Sequence, residues 1–127
     1  MKHEAITEAA LREQVERFYG RARLDPVLGP VFERAIQDWP PHIAAITAFW
    51  ARAMLGIPGY GGNAFAKHQD KGIESHMFGR WLGLWRETAE EAFEPEPARL
   101  LVGRAELIAR GLESGLLYAP GPAGPGS

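Results

Sequence analysis

Residues 63–82 read NAFAKHQDKGIESHMFGRWL, a segment that begins as a helix, breaks over QDKGIES and restarts as a strongly apolar helix. Asn63 is placed to cap one or two turns running to His68. Ser75 is placed to cap the next helix, which carries Phe78, Trp81, Leu82, Trp85 and Ala89 on one face. Two of the four histidines, His68 and His76, sit at the two ends of that interruption.

The same punctuation extends in both directions. Upstream, Thr7 precedes Leu11, Val15, Phe18 and Ala22, whose alternating spacings of four and three predict an amphipathic helix that Pro26 stops. Tyr19 lies beside that stripe. After DPVLGP, a short helical segment carries Val31, Phe32, Ala35 and Ile36. Prolines suit a first helical turn, so DWPP at 38–41 opens another helix, with Ile43, Ile46, Phe49, Trp50 and Ala53 on its apolar face. It ends near Gly56, and GIPGYGG reads as a loop. Downstream, Pro95 and Pro97 end the Trp81 helix and start a last one with Leu101, Ala105, Ile108 and Leu112 on its face. No stretch alternates with period two, so the class is all-α. The expected organisation is one domain over 1–118 and a disordered tail, APGPAGPGS, over 119–127.

Size and charge narrow the function. The 127 residues allow one hydrophobic core, and 46% hydrophobic with 24% charged residues is a globular balance. The formal net charge is −2 with basic and acidic residues interspersed, which argues against a nucleic-acid or anionic-membrane surface. The chain has no cysteine, which excludes disulfides, thiolate metal sites and thiol nucleophiles. No apolar run approaches the roughly 20 residues of a membrane span, and the expectation is a cytoplasmic monomer.

Few residues are placed to carry chemistry. His42 shares a face with Ile46, Phe49, Trp50 and Ala53, so its imidazole must find a partner on a buried stripe. A bond to a nearby carbonyl is the ordinary solution. Its first-turn position disfavours the imidazolium, so a neutral ring near pH 7 is expected. His68 ends a short helix, where a histidine ordinarily interacts with the last carbonyls. His76 reads as a surface residue and His3 as part of a frayed terminus. Tyr19, Trp81 and Trp85 are polar-tipped aromatics on apolar faces. Four Trp, six Phe and three Tyr are many for so short a helical chain, unless they surround a large flat object. There is no H-E-x-x-H, no Glu-x-x-His pair and no phosphate-binding glycine loop. Glu90 and Glu91 belong to a solvated face.

Taken in order, FY at 18–19, LGPVF at 28–32, W..H at 39 and 42, FW at 49–50, KH at 67–68 and RWL at 80–82 form one signature. It resembles the truncated haemoglobins, most closely group III, over about Phe18 to Tyr118. The resemblance implies a two-over-two helical sandwich enclosing haem b, with His68 as the iron ligand at the end of a very short helix. It further implies Tyr19, His42 and Trp81 around the bound ligand, Phe32, Ile46, Phe49 and Ile73 against the haem, and Phe18 and Trp50 as packing support. A single neutral imidazole leaves the other face of iron open to O2, NO, CO or peroxide. Three donors imply slow release of a ligand that becomes anionic when bound. Many group III members carry Leu-Pro after the proximal histidine where this chain has Lys71 and Gly72, which leaves the loop backbone less restricted. Reversible ligand binding, peroxidase-like or nitric-oxide chemistry with a reductase partner, and a haem-free interaction domain remain open at this point.

Overall fold

Thr7 ends an extended segment and starts the first helix, α1 (Glu8–Ala22), its hydroxyl accepting a hydrogen bond from the Ala10 N–H at 3.1 Å. The structure, a computed structural model, describes residues 2–58 and 75–118, with the side chains of 2–58 and 77–111. Helix α2 (Leu28–Ala35) is capped from outside its own first turn. Asp25 Oδ2 accepts from the Val27 and Leu28 N–H groups, each at 2.9 Å. Asp25 Oδ1 takes two guanidinium nitrogens of Arg80, Nε at 2.7 Å and Nη2 at 2.6 Å. This carboxylate therefore ties the α1–α2 corner to a distant helix. At the same corner the chain approaches itself so closely that a Cβ on Gly29 would lie 2.6 Å from the Arg23 carbonyl oxygen.

Helix α3 (Trp39–Leu55) has its prolines in the first turn and ends on Gly56, which takes the left-handed conformation at φ 72°. Helices α4 (Ser75–Ala92) and α5 (Pro95–Tyr118) are separated by Phe93 and Glu94 ahead of Pro95. The pair α1 and α3 packs on the pair α4 and α5: α1 touches both α3 and α4, and α4 runs against α5. Short α2 reaches α4. This is the expected all-α two-over-two arrangement.

The core follows the predicted stripe fully on α1 and in part on the other helices. Leu11, Val15, Phe18 and Ala22 are buried, joined from α3 by Trp50 and Ala51, from α4 by Phe78, Trp85, Ala89 and Ala92, and from α5 by Ala98, Leu101, Ala105 and Ala109. Small residues along α5 allow it to lie close to α4. Gln14 is a polar residue inside this core, its Nε2 donating to the Trp85 carbonyl at 3.2 Å. The Trp85 indole N–H in turn donates to the Leu101 carbonyl at 3.3 Å, so α1, α4 and α5 are linked through buried polar atoms.

Several expectations need correction. His3 does not fray: its N–H donates to the Ala92 carbonyl and its carbonyl accepts from Glu94 N–H, both at 2.8 Å, making an isolated bridge with Phe93. Its ring rests on Phe93 at 5.2 Å, and Nε2 meets Glu13 at 2.9 Å. Ile36 lies just outside α2 in extended conformation, and Ser75 is already helical. On α5, Ala109 is fully buried whereas Ile108 is only partly so, because the helix packs through its alanines. Glu91, expected to be merely solvated, is engaged by Arg21. The predicted helix over 63–68, the break after it and the tail over 119–127 lie outside the described residues, as do the side chains of Ser75 and Leu112. Among the described residues no helix is long and apolar enough to cross a membrane.

Candidate functional site

Tyr19 stands where α1 passes α2 and α3, and it is 7% exposed. Four rings surround it edge-on: Phe18 at 5.0 Å, Phe32 at 5.4 Å, Trp39 at 5.2 Å and His42 at 5.3 Å between centroids. Its hydroxyl lies 3.0 Å from His42 Nε2. Burial pushes the phenol well above its ordinary pKa, so Tyr19 carries its proton at neutral pH. His42 thus meets a hydroxyl on its buried side.

Trp81 approaches from α4. It meets Phe18 edge-on at 6.2 Å and stacks beside Trp85 at 6.2 Å, so one phenylalanine separates it from Tyr19. Trp85 spends its N–H on a carbonyl, whereas none of the described residues accepts from the N–H of Trp81. The structure thus brings Tyr19 and His42 into contact and sets Trp81 one ring away.

The apolar residues assigned to the site divide by helix. Phe32 is buried behind Tyr19. Ile46 and Phe49 are only half-buried, as are Ile43, Met54 and Ile57, although α3 is rich in apolar side chains and only Trp50 and Ala51 are fully buried on it. An apolar face left half-covered, next to a phenol and an imidazole, is the surface an apolar disc with a polar ligand would occupy. Phe18 and Trp50 are buried in the core. His68 and Ile73 lie outside the described residues.

Sequence reasoning passed over Trp39 as a site residue. Trp39 packs on both Tyr19 and His42, the latter at 5.7 Å, and the Arg23 guanidinium lies 4.3 Å over its ring while also meeting Glu33 at 3.2 Å. The signal was present in the spacing, since positions 39 and 42 are one turn apart on the same helix.

Set beside known proteins, the chain is 33% identical over 126 residues to a protein described as "Group 3 truncated hemoglobin ctb" from Campylobacter jejuni, covering 95% of this chain and 98% of that one. It also superposes on the crystal structure of a group III truncated haemoglobin from Campylobacter jejuni with a TM-score of 0.87 and 34% identity, covering 91% of this chain and 95% of the other. No family model matches.

Proposed function

Because the chain belongs to the group III truncated haemoglobins, we propose that it holds haem b against the half-buried face of α3 and binds O2 or another small diatomic ligand there reversibly. The observation that carries this reading is the meeting of two polar side chains, Tyr19 and His42, at the edge of that apolar face.

Each residue then has a role. His68 would hold the iron as its one protein ligand, and Ile73, Phe32, Ile46 and Phe49 would contact the ring. Haem held there would supply an iron centre able to take up a small ligand and to place negative charge on it. Tyr19 stays protonated in its buried position and donates its hydroxyl hydrogen toward that charge. Trp81 offers an indole N–H from the other side. Phe18, Phe32 and Trp39 exclude water around the phenol, which strengthens both bonds. The consequence is tight binding with slow release.

Proton traffic at the same contact favours a second reading. His42 Nε2 is within hydrogen-bond reach of the Tyr19 hydroxyl, so the pair can deliver a proton to bound peroxide or take one up, the step a peroxidase-like or nitric-oxide-consuming enzyme needs.

The test is the visible spectrum of the purified protein, ferric, ferrous and with CO, beside His68→Ala and His76→Ala. A Soret band with a histidine-ligated ferrous-CO form, lost only in His68→Ala, is the expected result. Equal effects of the two substitutions would put the iron on another residue, and no Soret band after haem addition would refute haem binding. Peroxide consumption no faster than that of free haem would remove the second reading.

A further inference from the structure

Every tryptophan of the chain falls in one network of ring contacts. Trp50 on α3 stacks on Trp85 at 4.5 Å and 18° from parallel, and Trp85 lies 6.2 Å from Trp81 at 14°. Phe18 touches Trp81, Trp85 and Tyr19 edge-on, and Tyr19 touches Trp39. Among the described residues the parallel contacts are confined to these indoles, and all other ring pairs are tilted or edge-on.

That difference has a physical meaning. Edge-on contacts fill space and satisfy the ring quadrupole. Overlapping π-faces also couple the electronic states of two rings, so that a positive charge spreads over both and costs less to form. Indole is the most electron-rich of the apolar side chains. Trp85 and Trp50 are 1% and 2% exposed, out of reach of diffusing reagents, whereas Trp81 is partly exposed. The Leu101 carbonyl oxygen faces the Trp85 N–H, which places the negative end of a dipole beside the ring. A carbonyl is not a base at neutral pH, so the proton of that N–H stays in place.

We propose that the Trp81–Trp85–Trp50 stack is an internal one-electron donor, oxidised when hydrogen peroxide is reduced at the haem site. The inference rests on the haem reading and on Trp81 as a wall of that site. Peroxide takes up two electrons and two protons and leaves as two waters, the O–O bond being the one that breaks. Trp81 gives one of these electrons, a bound haem would give the other, and both protons come from solvent. The vacancy on Trp81 is filled from Trp85 and Trp50, so the stacked pair ends one electron short as an indole radical cation, with no bond made or broken in the protein.

The experiment treats the haem-loaded full chain with one equivalent of hydrogen peroxide and freezes it for electron paramagnetic resonance, in protein carrying ordinary or ring-deuterated tryptophan. The same samples are digested, and oxidised tryptophans are located by mass spectrometry. The expected result is a radical signal that narrows on tryptophan deuteration, with oxidation on buried Trp85 and Trp50 at least as heavy as on Trp39. Trp85→Phe, which removes the middle ring and cuts Trp50 off from Trp81, should show a diminished signal, spare Trp50 from oxidation and bleach its Soret band with less peroxide. A signal insensitive to tryptophan deuteration, oxidation confined to Trp39, or an undiminished signal in a folded Trp85→Phe protein would overturn the proposal. Should Trp85→Phe not fold, the sites oxidised in the unaltered chain decide alone. Absence of a Soret band, seen before peroxide is added, refutes the haem reading and the donor with it, and so differs from a haem-loaded protein that forms no tryptophan radical.

Discussion

The Tyr19 hydroxyl and His42 Nε2 lie 3.0 Å apart across the α1–α3 contact, and one hydrogen occupies the space between them. If the imidazole donates it, the phenol proton is free to point at a bound ligand. If the phenol donates, only its lone pairs face outward. The state of His42 thereby sets what Tyr19 can offer.

Replacing Tyr19 with Phe keeps the ring in its aromatic box and deletes that hydroxyl. O2 dissociation from the haem-loaded protein should accelerate by the equivalent of about 1.5–3 kcal/mol, the worth of a hydrogen bond to a charged acceptor. Stopped-flow release kinetics measure it, and an unchanged rate would take Tyr19 out of the site. In a double-mutant cycle with His42→Ala, unfolding free energies should depart from additivity by about 0.5–1.5 kcal/mol, since the two groups share one bond.

Asp25 holds α2 and α4 together through one carboxylate. The Arg80 guanidinium, helped by the Leu28 and Val27 N–H groups and opposed by burial, keeps that carboxyl below the usual range. A depressed folded pKa means that the stabilisation is complete above the unfolded value of about 3.9 and disappears as pH falls through the folded one. Asp25→Ala should therefore cost about 2 kcal/mol at neutral pH, judged by urea unfolding. Its unfolding midpoint should converge with that of the unaltered chain in acid; a gap that persists there would mean that packing, not charge, is what the substitution removes.

Gly29 admits no side chain. An added methyl would be driven into the Arg23 carbonyl, which is backbone and can yield only by moving the end of α1. Gly29→Ala should destabilise the fold by about 1–3 kcal/mol in denaturant titrations, despite the helix-favouring nature of alanine.

The segment before Thr7 is a strap. Deleting residues 2–5 removes the two His3 backbone bonds, uncovers Phe93 and leaves Glu13 to Arg17, without the His3 contact that chiefly holds its carboxyl below the ordinary pKa. The loss of about 2 kcal/mol should appear as a fall of several degrees in thermal midpoint. A midpoint unmoved by the deletion would show that the bridge is only local.

The helices were legible because their signals are local: the Thr7 cap, the four-three-four stripe, the prolines at 40 and 41, Gly56 and Pro95 all act within a turn or two of where they stand. Partners are not local. Tyr19 and His42 were each visible as polar tips on apolar faces, yet their contact depends on how α1 crosses α3, which no periodicity specifies. The same holds for Asp25 with Arg80, and for Gln14, whose spacing sets it on the Leu11–Phe18 stripe but whose partner there, the Trp85 carbonyl, no spacing names. His3 looked free because nothing near it in sequence could hold it; what holds it is Phe93, on the far side of the chain.

The gathering of all four indoles into one ring network also decides how this protein handles ultraviolet light. Excitation absorbed by any one of them lies within a few ring contacts of Trp81. A strongly absorbing pigment seated beside Trp81 would drain that excitation before it could be re-emitted. The fluorescence of the whole chain would then be a single gauge of whether such a pigment is in place: bright without it and dark with it.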